Sequence, residues 1–486
     1  NVYNRGNTIH FRGIKDGKKV IDKIEFKPCL FARTGKETPY KSLHGHYLDK
    51  IQFDSINDAK QHISTYEDVS NYPIYGQTNF GYQFITSKFP EQIEWDISQI
   101  KILTLDIETS TEYGFPDPKA ANEQVLLISC QDFNTKKITT FGCKHFLNKQ
   151  DNVTYVKCES ETDLLKQFIQ FMKDDSPDVI TGWNVNLFDL PYLSSRIIKI
   201  LGENALKDIS PFRLFWSREV NLNNREYVIF DWAGIAILDY LDLYKKFSYK
   251  TQESYRLDHI AQEELGKAKI KSPYATFKEF YTNDWQLFVE YNIVDVELVD
   301  QLEDKMKLIE LIMTMAYDAK CNYADIFSPV RTWDCILYNA LWKRGTVIQM
   351  VRPPEFDRSI IGAYVKDPVP GSYEWVVSFD ATSLYPSIIM SLNMSPETLV
   401  DGMKYLEDDE KSIQMLIDRE VKLDQLKTDG VAMAANGQCF SKEKKGIFPE
   451  LIEYYFAERQ KAKKQMLADQ EMYEKTKDNK YLKNVS

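Results

Sequence analysis

A short apolar stretch that ends in paired acids constrains this chain more than any other. Residues 101–110 read KILTLDIETS, a leucine-rich and β-branched run typical of a buried strand. Asp106 and Glu108 are two positions apart, so on a strand both side chains project from the same face. Two adjacent acids repel each other and resist burial unless a cation lies between them. Oxygen ligands of this kind suit Mg²⁺ or Mn²⁺ rather than zinc.

A lone Asp-x-Glu pair has an ordinary alternative, a strand edge with two solvated acids, so the interpretation depends on further carboxylates. Asp189 follows a predicted strand and opens a helix that has Pro191 in its first turn, although such an Asp is more commonly a helix N-cap. Tyr291 and Asp295 are four residues apart and share one face of a predicted helix, although an amphipathic helix can carry a surface Asp there. When each of these acids is considered by itself, its ordinary structural role is favoured over a catalytic one.

Length and composition narrow the class of protein. A chain of 486 residues predicts about three domains, and 43% hydrophobic residues are ample for globular cores. The net charge of -11 excludes a wholly basic nucleic-acid binder but permits local basic patches. Seven scattered cysteines with no Cys-x-x-Cys spacing favour a reducing compartment, with neither a disulfide framework nor a zinc ribbon.

The chain lacks the features of a secreted or membrane protein. Its first residues are polar and contain no signal-peptide core, and no uncharged apolar run is long enough to cross a membrane. We therefore expect a soluble intracellular protein with no membrane partner. The missing initiator methionine suggests that a few residues precede Asn1.

Hydrophobic periodicity predicts the following organisation. Residues 1–98 resemble a small α+β domain, with strand-like alternation over Lys18–Phe31 and a helix over Ile56–Tyr66. Residues 99–305 alternate strands and helices, which predicts an α/β layer whose sites lie at strand ends. The predicted strands there are Val125–Cys130, Lys137–Phe141 and Asp178–Gly182, and the helices are Glu161–Asp174, Pro191–Leu201 and Trp285 to about Lys307.

A second pattern with chemical potential lies at residues 375–389, WVVSFDATSLYPSII. Val376–Phe379 is predicted to be a buried strand that carries Asp380 to its end, with Pro386 near the start of a helix. The ordinary alternative is a strand–turn–helix with capping Ser and Asp residues. The sequence contains no phosphate-binding Gly-x-x-x-x-Gly-Lys-Ser/Thr loop, no His-Glu-x-x-His zinc site and no Gly-x-Ser-x-Gly elbow.

Together these motifs resemble those of the family B DNA polymerases. Asp-x-Glu at 106–108, Asn-x-x-x-Phe-Asp at 184–189 and Tyr-x-x-x-Asp at 291–295 resemble the family's three exonuclease motifs, in order. The segments ILDYLDLY (237–244) and SYRLDHIA (254–261) resemble the sequences that lie between these motifs in members of the family. The segments TGWN (181–184) and LDLYKKF (241–247) are most similar to the T-even bacteriophage replicative type.

The resemblance implies an RNase H-like 3′–5′ exonuclease domain that uses two Mg²⁺ ions, with Mn²⁺ possible. Asp106 would bridge the ions, Glu108 and Asp295 would complete one, Asp189 would support the other, and Tyr291 would orient the attacking water. Two cations about 4 Å apart are suited to phosphodiester hydrolysis, because they activate the water and stabilise the leaving oxygen.

The resemblance also implies part of a polymerase palm. Asp-x-x-Ser-Leu-Tyr-Pro-Ser at 380–387 is similar to the family's first palm motif, with Asp380 as a catalytic metal ligand. The backbone near Thr382–Leu384, with Ser383 at its centre, would hold the triphosphate, and Tyr385 would lie under the incoming sugar. The long helix after Gly446 resembles the first fingers helix.

Further residues of the polymerase half follow from the same resemblance. Arg459 and Lys463, one turn apart on that helix, would meet the triphosphate, although a solvated basic face is the alternative. Gly362 and Tyr364 would contact the template backbone, but Ala363 stands where the family often has a second glycine.

The chain departs from the family in its second half. It contains no Lys-x-x-x-Asn-Ser-x-Tyr-Gly motif and no Asp-Thr-Asp-Ser motif, so Asp380 lacks the other palm carboxylate. Three explanations stay open: a second polypeptide completes the palm, the chain is a fragment of a longer protein, or the remainder has been lost. The domains we predict are an N-terminal domain (1–98), the exonuclease (99–305), a return to the N-terminal domain (306–350), a partial palm (351–445) and the start of the fingers (446–486).

The function implied is therefore DNA synthesis with 3′–5′ proofreading, in the cytoplasm of a phage-infected bacterium. Primer-template DNA and deoxynucleoside triphosphates would be the substrates, and a sliding clamp would be a partner. Two alternatives stay open. A stand-alone 3′–5′ exonuclease accounts for residues 99–305 but not for Asp380 and Tyr385, and a non-catalytic DNA-binding subunit would bind DNA without metal-dependent turnover.

Overall fold

The computed structural model describes residues 1–15, 17–222, 225–248, 250–350, 367–381, 383–404, 406, 410–421 and 424–478. Packing divides the chain into two units. The first comprises residues 1–42 and 47–350, and the second comprises residues 43–46 and 351–486. Among the described residues, none of the helices combines the length and the apolar character needed to cross a membrane.

The N-terminal part of the first unit is built from short strands and two helices. Its elements are β1 (Val2–Arg5), β2 (Thr8–Lys15), β3 (Lys18–Glu25), β4 (Cys29–Arg33), β5 (Lys41–Ser42), β6 (Leu48–Gln52), α1 (Ile56–Tyr66) and α2 (Phe80–Lys88). β1, β2 and β3 form an antiparallel sheet, and β4 pairs with β6. Helix α1 has the predicted bounds, because the Ser55 side chain caps it by accepting a hydrogen bond from the Asp58 N–H.

A six-stranded mixed sheet forms the centre of the first unit. The strands of this region are β7 (Ile102–Thr109), β8 (Val125–Asp132), β9 (Ile138–Gly142), β10 (Val153–Lys157), β11 (Val179–Gly182), β12 (Phe215–Leu222), β13 (Arg225–Trp232) and β14 (Ala236–Asp239). The sheet order is β10-β9-β8-β7-β11-β14, and β12 and β13 form a separate antiparallel ribbon. Strands β7, β11 and β14 run parallel to one another, so their carboxyl ends meet at one edge of the sheet.

Helices cover this sheet. They are α3 (Glu161–Asp175), α4 (Asp189–Leu201), α5 (Glu203–Lys207), α6 (Tyr240–Phe247), α7 (Leu257–Leu265), α8 (Phe277–Asn283) and α9 (Trp285–Met306). The fully buried side chains of Leu103, Leu164 and Ile180 belong to one apolar cluster, whereas Leu127, Phe288 and Ile293 belong to another beneath α9. The predicted strands and helices of residues 99–305 are confirmed to within about two residues at most ends.

After α9 the chain packs against the N-terminal strands again. Helices α10 (Leu308–Ala319) and α11 (Pro329–Trp342) lead to β15 (Thr346–Val347), which pairs in parallel with β5. The Asn322 side chain hydrogen-bonds both the N–H and the C=O of Val2, and Thr86 donates to Asn339. Residues 306–350 therefore contact the N-terminal strands and α2.

The second unit contains α12 (Leu384–Leu392), β16 (Leu399–Lys404), α13 (Glu410–Ile417), α14 (Asp424–Thr428), β17 (Val431–Met433), β18 (Gln438–Ser441) and α15 (Ile447–Thr476). Strands β16, β18 and β17 form a small antiparallel sheet, and α12 packs against α15. The Asn393 side chain hydrogen-bonds the carbonyl groups of Ser441 and Lys444. The long helix predicted after Gly446 is confirmed.

The predicted buried strand at Val376–Phe379 is wrong. These residues form no strand, and their neighbour Trp375 is 96% exposed while Phe379 is 92% exposed. A strand needs a neighbour to take its backbone hydrogen bonds, and no strand in the part of the chain that the structure describes pairs with this segment. The apolar pattern is present, but the surface that would bury it is not among the described residues.

Candidate active site

The edge where β7, β11 and β14 end gathers the predicted exonuclease residues. Asp106 and Glu108 lie on β7, and Asp189 follows β11 as the first residue of α4. Helix α9 packs across β7 and β8 and supplies Tyr291 and Asp295. Residues from three distant parts of the sequence therefore meet at this edge.

Three carboxylates form a close cluster. One oxygen from each of Asp106, Glu108 and Asp295 lies within 4.8 Å of the other two. Asp106 and Glu108 stay partly accessible, whereas Asp295 is only 3% exposed. The prediction that Asp106 and Glu108 project from the same face of the strand is confirmed by this proximity.

The cluster is electrostatically costly without a cation. Burial, followed by the neighbouring carboxylates, raises the pKa of Asp106 and of Glu108 well above their ordinary values. Burial also raises the pKa of Asp295, although the nearby Lys269 ammonium acts in the opposite direction. Each of these acids would release its proton more readily if positive charge entered the cluster.

Asp189 lies beside this cluster but is not part of it. Its side chain is 4% exposed, and its Oδ1 accepts a hydrogen bond of 3.1 Å from the Ile107 N–H on β7. Burial raises the pKa of Asp189 to about 7. The alternative role of helix N-cap does not apply, since Phe188 occupies the cap position and α4 has no side-chain cap.

Two residues of α9, Tyr291 and Asn292, lie close to Asp106 and Glu108. The Nδ2 of Asn292 donates a 2.6 Å hydrogen bond to Oδ2 of Asp106, and Asn292 is fully buried. Burial, and then the charge of Glu108, raises the pKa of the Tyr291 hydroxyl, which stays protonated and can donate a hydrogen bond. Sequence reasoning missed Asn292, although it lies within the Tyr-x-x-x-Asp motif.

Lys269 is a second residue that sequence reasoning missed. Its Nζ lies 2.5 Å from Oδ2 of Asp295 and 5.3 Å from the centre of the Tyr291 ring. Burial alone would lower the pKa of this ammonium, but Asp295 and the other acids raise it. The only signal in the sequence is a lysine between two motifs, with no spacing rule that links it to Asp295.

The arrangement fits a hard divalent cation. All the donors are carboxylate oxygens, the type that Mg²⁺ and Mn²⁺ prefer. Oδ1 of Asp295 is buried and has no hydrogen-bond partner among the residues that the structure describes, although a buried carboxylate oxygen is normally satisfied. The orphaned oxygen and the raised pKa values both indicate a site that is completed by positive charge.

The structure does not gather the second set of predicted residues into a comparable site. Asp380 is exposed, and the one cluster of three metal-ligating side chains found among the described residues does not include it. Ser383 has left-handed backbone (φ 51°) just before α12, and the first two residues of that helix, Leu384 and Tyr385, are 50% and 73% exposed.

Arg459 and Lys463 lie on an exposed face of α15. Gly362, Tyr364 and Thr382 lie outside the described residues.

The fold and the carboxylate cluster indicate the class of protein to which this chain belongs. A mixed sheet of this order with acids at its edge is consistent with an RNase H-like exonuclease domain. The profile described as "DNA polymerase family B, exonuclease domain" matches residues 79–260, and the one described as "DNA polymerase family B" matches residues 328–481. This chain belongs to the family B DNA polymerases.

Individual relatives agree with this assignment and with the predicted phage type. The chain is 32% identical over 511 residues to the DNA-directed DNA polymerase of Escherichia phage RB69, a match that covers 99% of this chain and 55% of the relative. It is 29% identical over 492 residues to the DNA-directed DNA polymerase of Enterobacteria phage T4, covering 96% of this chain and 53% of the relative. The chain thus spans about half the length of these two curated relatives.

Proposed function

We propose that this chain removes nucleotides from the 3′ end of a DNA strand, as the proofreading part of a family B DNA polymerase. The observation that carries the proposal is the cluster of Asp106, Glu108 and Asp295, whose ligating oxygens lie within 4.8 Å of one another. A 3′–5′ exonuclease needs such a cluster to hold divalent cations at the scissile phosphate.

Mg²⁺ is the cation we propose, with Mn²⁺ as an alternative. Asp106, Glu108 and Asp295 would hold one ion, and Asp189 together with Asp106 would hold a second. When bound, the two ions would activate a water molecule and stabilise the leaving oxygen. The Tyr291 hydroxyl, protonated because burial raises its pKa, would donate a hydrogen bond that orients the attacking water.

Exposed aromatic rings beside the site favour a single-stranded substrate end. Tyr113 and Phe115 follow β7 and are 86% and 90% exposed, and the ring of Phe115 lies 6.2 Å from that of Phe188, the residue before Asp189. Unpaired bases stack on such rings with little dependence on sequence. These side chains are suited to hold the last nucleotides of a frayed primer.

For the polymerase half we propose an incomplete site that requires further polypeptide. Asp380 would bind metal, Ser383 and Leu384 would hold the triphosphate, Tyr385 would contact the sugar, and Arg459 and Lys463 would neutralise phosphate charge; Gly362 and Tyr364 would contact the template. The exposure of Trp375 and Phe379 favours a surface that is normally covered, because large exposed apolar patches mark interaction sites. The covering polypeptide would carry the Asp-Thr-Asp-Ser motif.

The partners follow from this assignment. They are primer-template DNA, deoxynucleoside triphosphates, a second polypeptide or a C-terminal continuation that completes palm, fingers and thumb, and a sliding clamp. The working location would be the cytoplasm of a phage-infected bacterium. A stand-alone exonuclease is the second candidate, because every residue of the carboxylate cluster belongs to the first unit.

The test uses the purified chain, a 5′-labelled primer-template and Mg²⁺, with and without the four deoxynucleoside triphosphates. We expect the primer to shorten in both reactions, and to be extended only when a polypeptide carrying the Asp-Thr-Asp-Ser half is added. Shortening without extension under any of these conditions would favour the stand-alone exonuclease. No shortening at all would contradict the proposal and favour a non-catalytic DNA-binding subunit.

A further inference from the structure

The carboxyl end of β14 lies next to the loop that carries Asp189. Strand β14 pairs in parallel with β11, and Asp239, its last residue, is opposite Gly182. Residues 183–188 follow Gly182 and lead directly to Asp189 at the start of α4. The side chain of Asp239 is 3% exposed, so it is enclosed between these segments.

The Asp239 carboxylate accepts three backbone hydrogen bonds. Its Oδ1 accepts from the N–H groups of Asn184 at 3.1 Å and Leu241 at 2.9 Å, and its Oδ2 accepts from the Asn186 N–H at 2.9 Å. One bond caps helix α6, and the other two hold the loop. A single side chain thus joins a helix terminus to the loop before Asp189.

The loop before Asp189 turns sharply. Asn184 has left-handed backbone (φ 64°), a conformation that asparagine adopts more readily than most residues other than glycine. The Asn184 carbonyl accepts from the N–H groups of Leu187 at 3.2 Å and Phe188 at 3.1 Å, so the turn closes on itself. Because α4 has no side-chain cap of its own, the contacts of Asp239 provide fixed anchors for the turn.

We propose that Asp239 is a positioning residue of the exonuclease site. By holding the N–H groups of Asn184 and Asn186, it fixes the turn that sets the Asp189 carboxylate against the Ile107 N–H, on the strand that carries Asp106. In this role Asp239 would act through the backbone N–H groups that it holds and would contact neither substrate nor metal. The inference rests on the proposed exonuclease function and adds a residue that acts through the backbone.

Two substitutions separate loop positioning from helix capping. Asp239→Asn and Asp239→Ser both leave one oxygen that can cap α6, since Asn and Ser are good N-caps. Neither can accept from both loop N–H groups, because the amide presents an NH₂ group in place of the second oxygen and the hydroxyl lacks one. Asp242→Asn is the matched control, since Asp242 lies in the first turn of the same helix with an exposed side chain.

The experiment measures degradation of a 5′-labelled single-stranded oligonucleotide as a function of Mn²⁺ concentration, together with thermal melting. We expect Asp239→Asn and Asp239→Ser to be about 10- to 100-fold slower than the parent chain at limiting Mn²⁺. The Mn²⁺ midpoint, which is the Mn²⁺ concentration that gives half of the maximal rate, should rise in both variants. Excess Mn²⁺ should restore part of the rate. If Asp239 only stabilised the fold, its variants would melt at a lower temperature. Their Mn²⁺ midpoint, measured at a temperature where they are folded, would then equal that of the parent chain.

The outcomes distinguish this inference from the function on which it rests. An active parent chain together with unchanged rates and Mn²⁺ midpoints in both Asp239 variants would overturn the positioning role alone. The same would follow if Asp242→Asn lost as much activity as the Asp239 variants. A parent chain that does not degrade the oligonucleotide at any Mn²⁺ concentration would overturn the proposed function, and the inference with it.

Discussion

Lys269 places a positive charge in direct contact with the buried carboxylate of Asp295. Three acids whose oxygens lie within 4.8 Å of one another repel strongly in an environment of low dielectric constant. The 2.5 Å ion pair with Lys269 offsets part of this repulsion when no metal is bound. The lysine therefore keeps Asp295 closer to its ionised form, which is the form that binds a cation.

Replacing Lys269 tests this role. In Lys269→Met the pKa of Asp295 should rise further, so the pH at which oligonucleotide degradation reaches half its maximum should move to higher values. Lys267→Met is the control, since Lys267 pairs with Gln301 rather than with an acid of the cluster. A pH profile of Lys269→Met that superimposes on that of the parent chain would contradict the role.

The raised pKa values also predict how stability depends on pH and metal. Asp189 and Asp239 have pKa values of about 7, against the ordinary 3.8, so the folded state binds these protons more tightly than the unfolded state. Metal-free protein should therefore lose stability as the pH rises from 3.8 towards about 7. Because cations bind the deprotonated acids, Mn²⁺ should raise the melting temperature more at pH 8 than at pH 6.

Thermal melting at both pH values, with and without Mn²⁺, checks this expectation. The Asp106→Ala variant provides the control. Because it lacks one of the proposed ligands, Mn²⁺ should raise its melting temperature much less than that of the parent chain. Equal shifts at pH 6 and pH 8, or a shift that survives in Asp106→Ala, would show that the cation acts elsewhere.

At the scale of elements, the strands β7, β8, β9 and β11 and the helices α3, α4 and α9 of the exonuclease region could be predicted from their hydrophobic patterns, whereas β10, β12–β14 and α5–α8 were not predicted. Apolar residues at Leu164, Leu165, Phe168, Ile169 and Met172 identify α3, and all five are buried. The segment Val376–Phe379 has an equally apolar pattern but forms no strand. A sequence pattern reports the capacity to be buried, whereas burial also requires a partner surface.

The candidate site was predictable only in part, for a similar reason. The spacing of Asp106 and Glu108 and that of Tyr291 and Asp295 follow the periods of a strand and a helix. The resemblance to the family's exonuclease motifs was needed to single out all five residues, Asp189 included. The roles of Lys269, Asn292 and Asp239 depend on contacts between distant segments. Asp239, for example, reaches the Asn184 loop through the pairing of β14 with β11, and no local pattern encodes that pairing.

Gly182 shows how closely these strands approach one another. A Cβ at this position would overlap the carbonyl oxygen of Leu105, the residue before Asp106, and would also crowd the Val185 side chain. Gly182→Ala should therefore force β11 away from β7 and lower the free energy of unfolding by about 1–3 kcal/mol. Gly35→Ala is the control, since its Cβ would meet nothing within 4 Å.

Urea unfolding followed by circular dichroism measures both glycine variants. We expect a lower midpoint for Gly182→Ala and a nearly unchanged midpoint for Gly35→Ala. Equal midpoints for the two variants would mean that the edge of the sheet has more room than the contact with Leu105 suggests.

At the scale of the whole molecule, the two functional patterns differ in completeness. The carboxylate cluster and the residues that surround it lie within the first unit. Among the described residues of the second unit, five of the predicted polymerase residues are exposed: Asp380, Leu384, Tyr385, Arg459 and Lys463. In that part of the chain Asp380 belongs to no cluster of three metal-ligating side chains. The chain spans about half the length of its phage relatives, and the exonuclease function that we propose depends only on residues of the first unit.

The most direct test is therefore hydrolysis of a 5′-labelled single-stranded oligonucleotide in Mg²⁺ by the parent chain and by Asp106→Ala, Asp295→Ala and Asp304→Ala. Asp304 lies on the same helix as Asp295 but pairs with Lys136, so its loss controls for helix damage. We predict stepwise shortening from the 3′ end by the parent chain and by Asp304→Ala, and none by the other two variants, although both should fold. Undiminished degradation by Asp106→Ala or Asp295→Ala would contradict the carboxylate site.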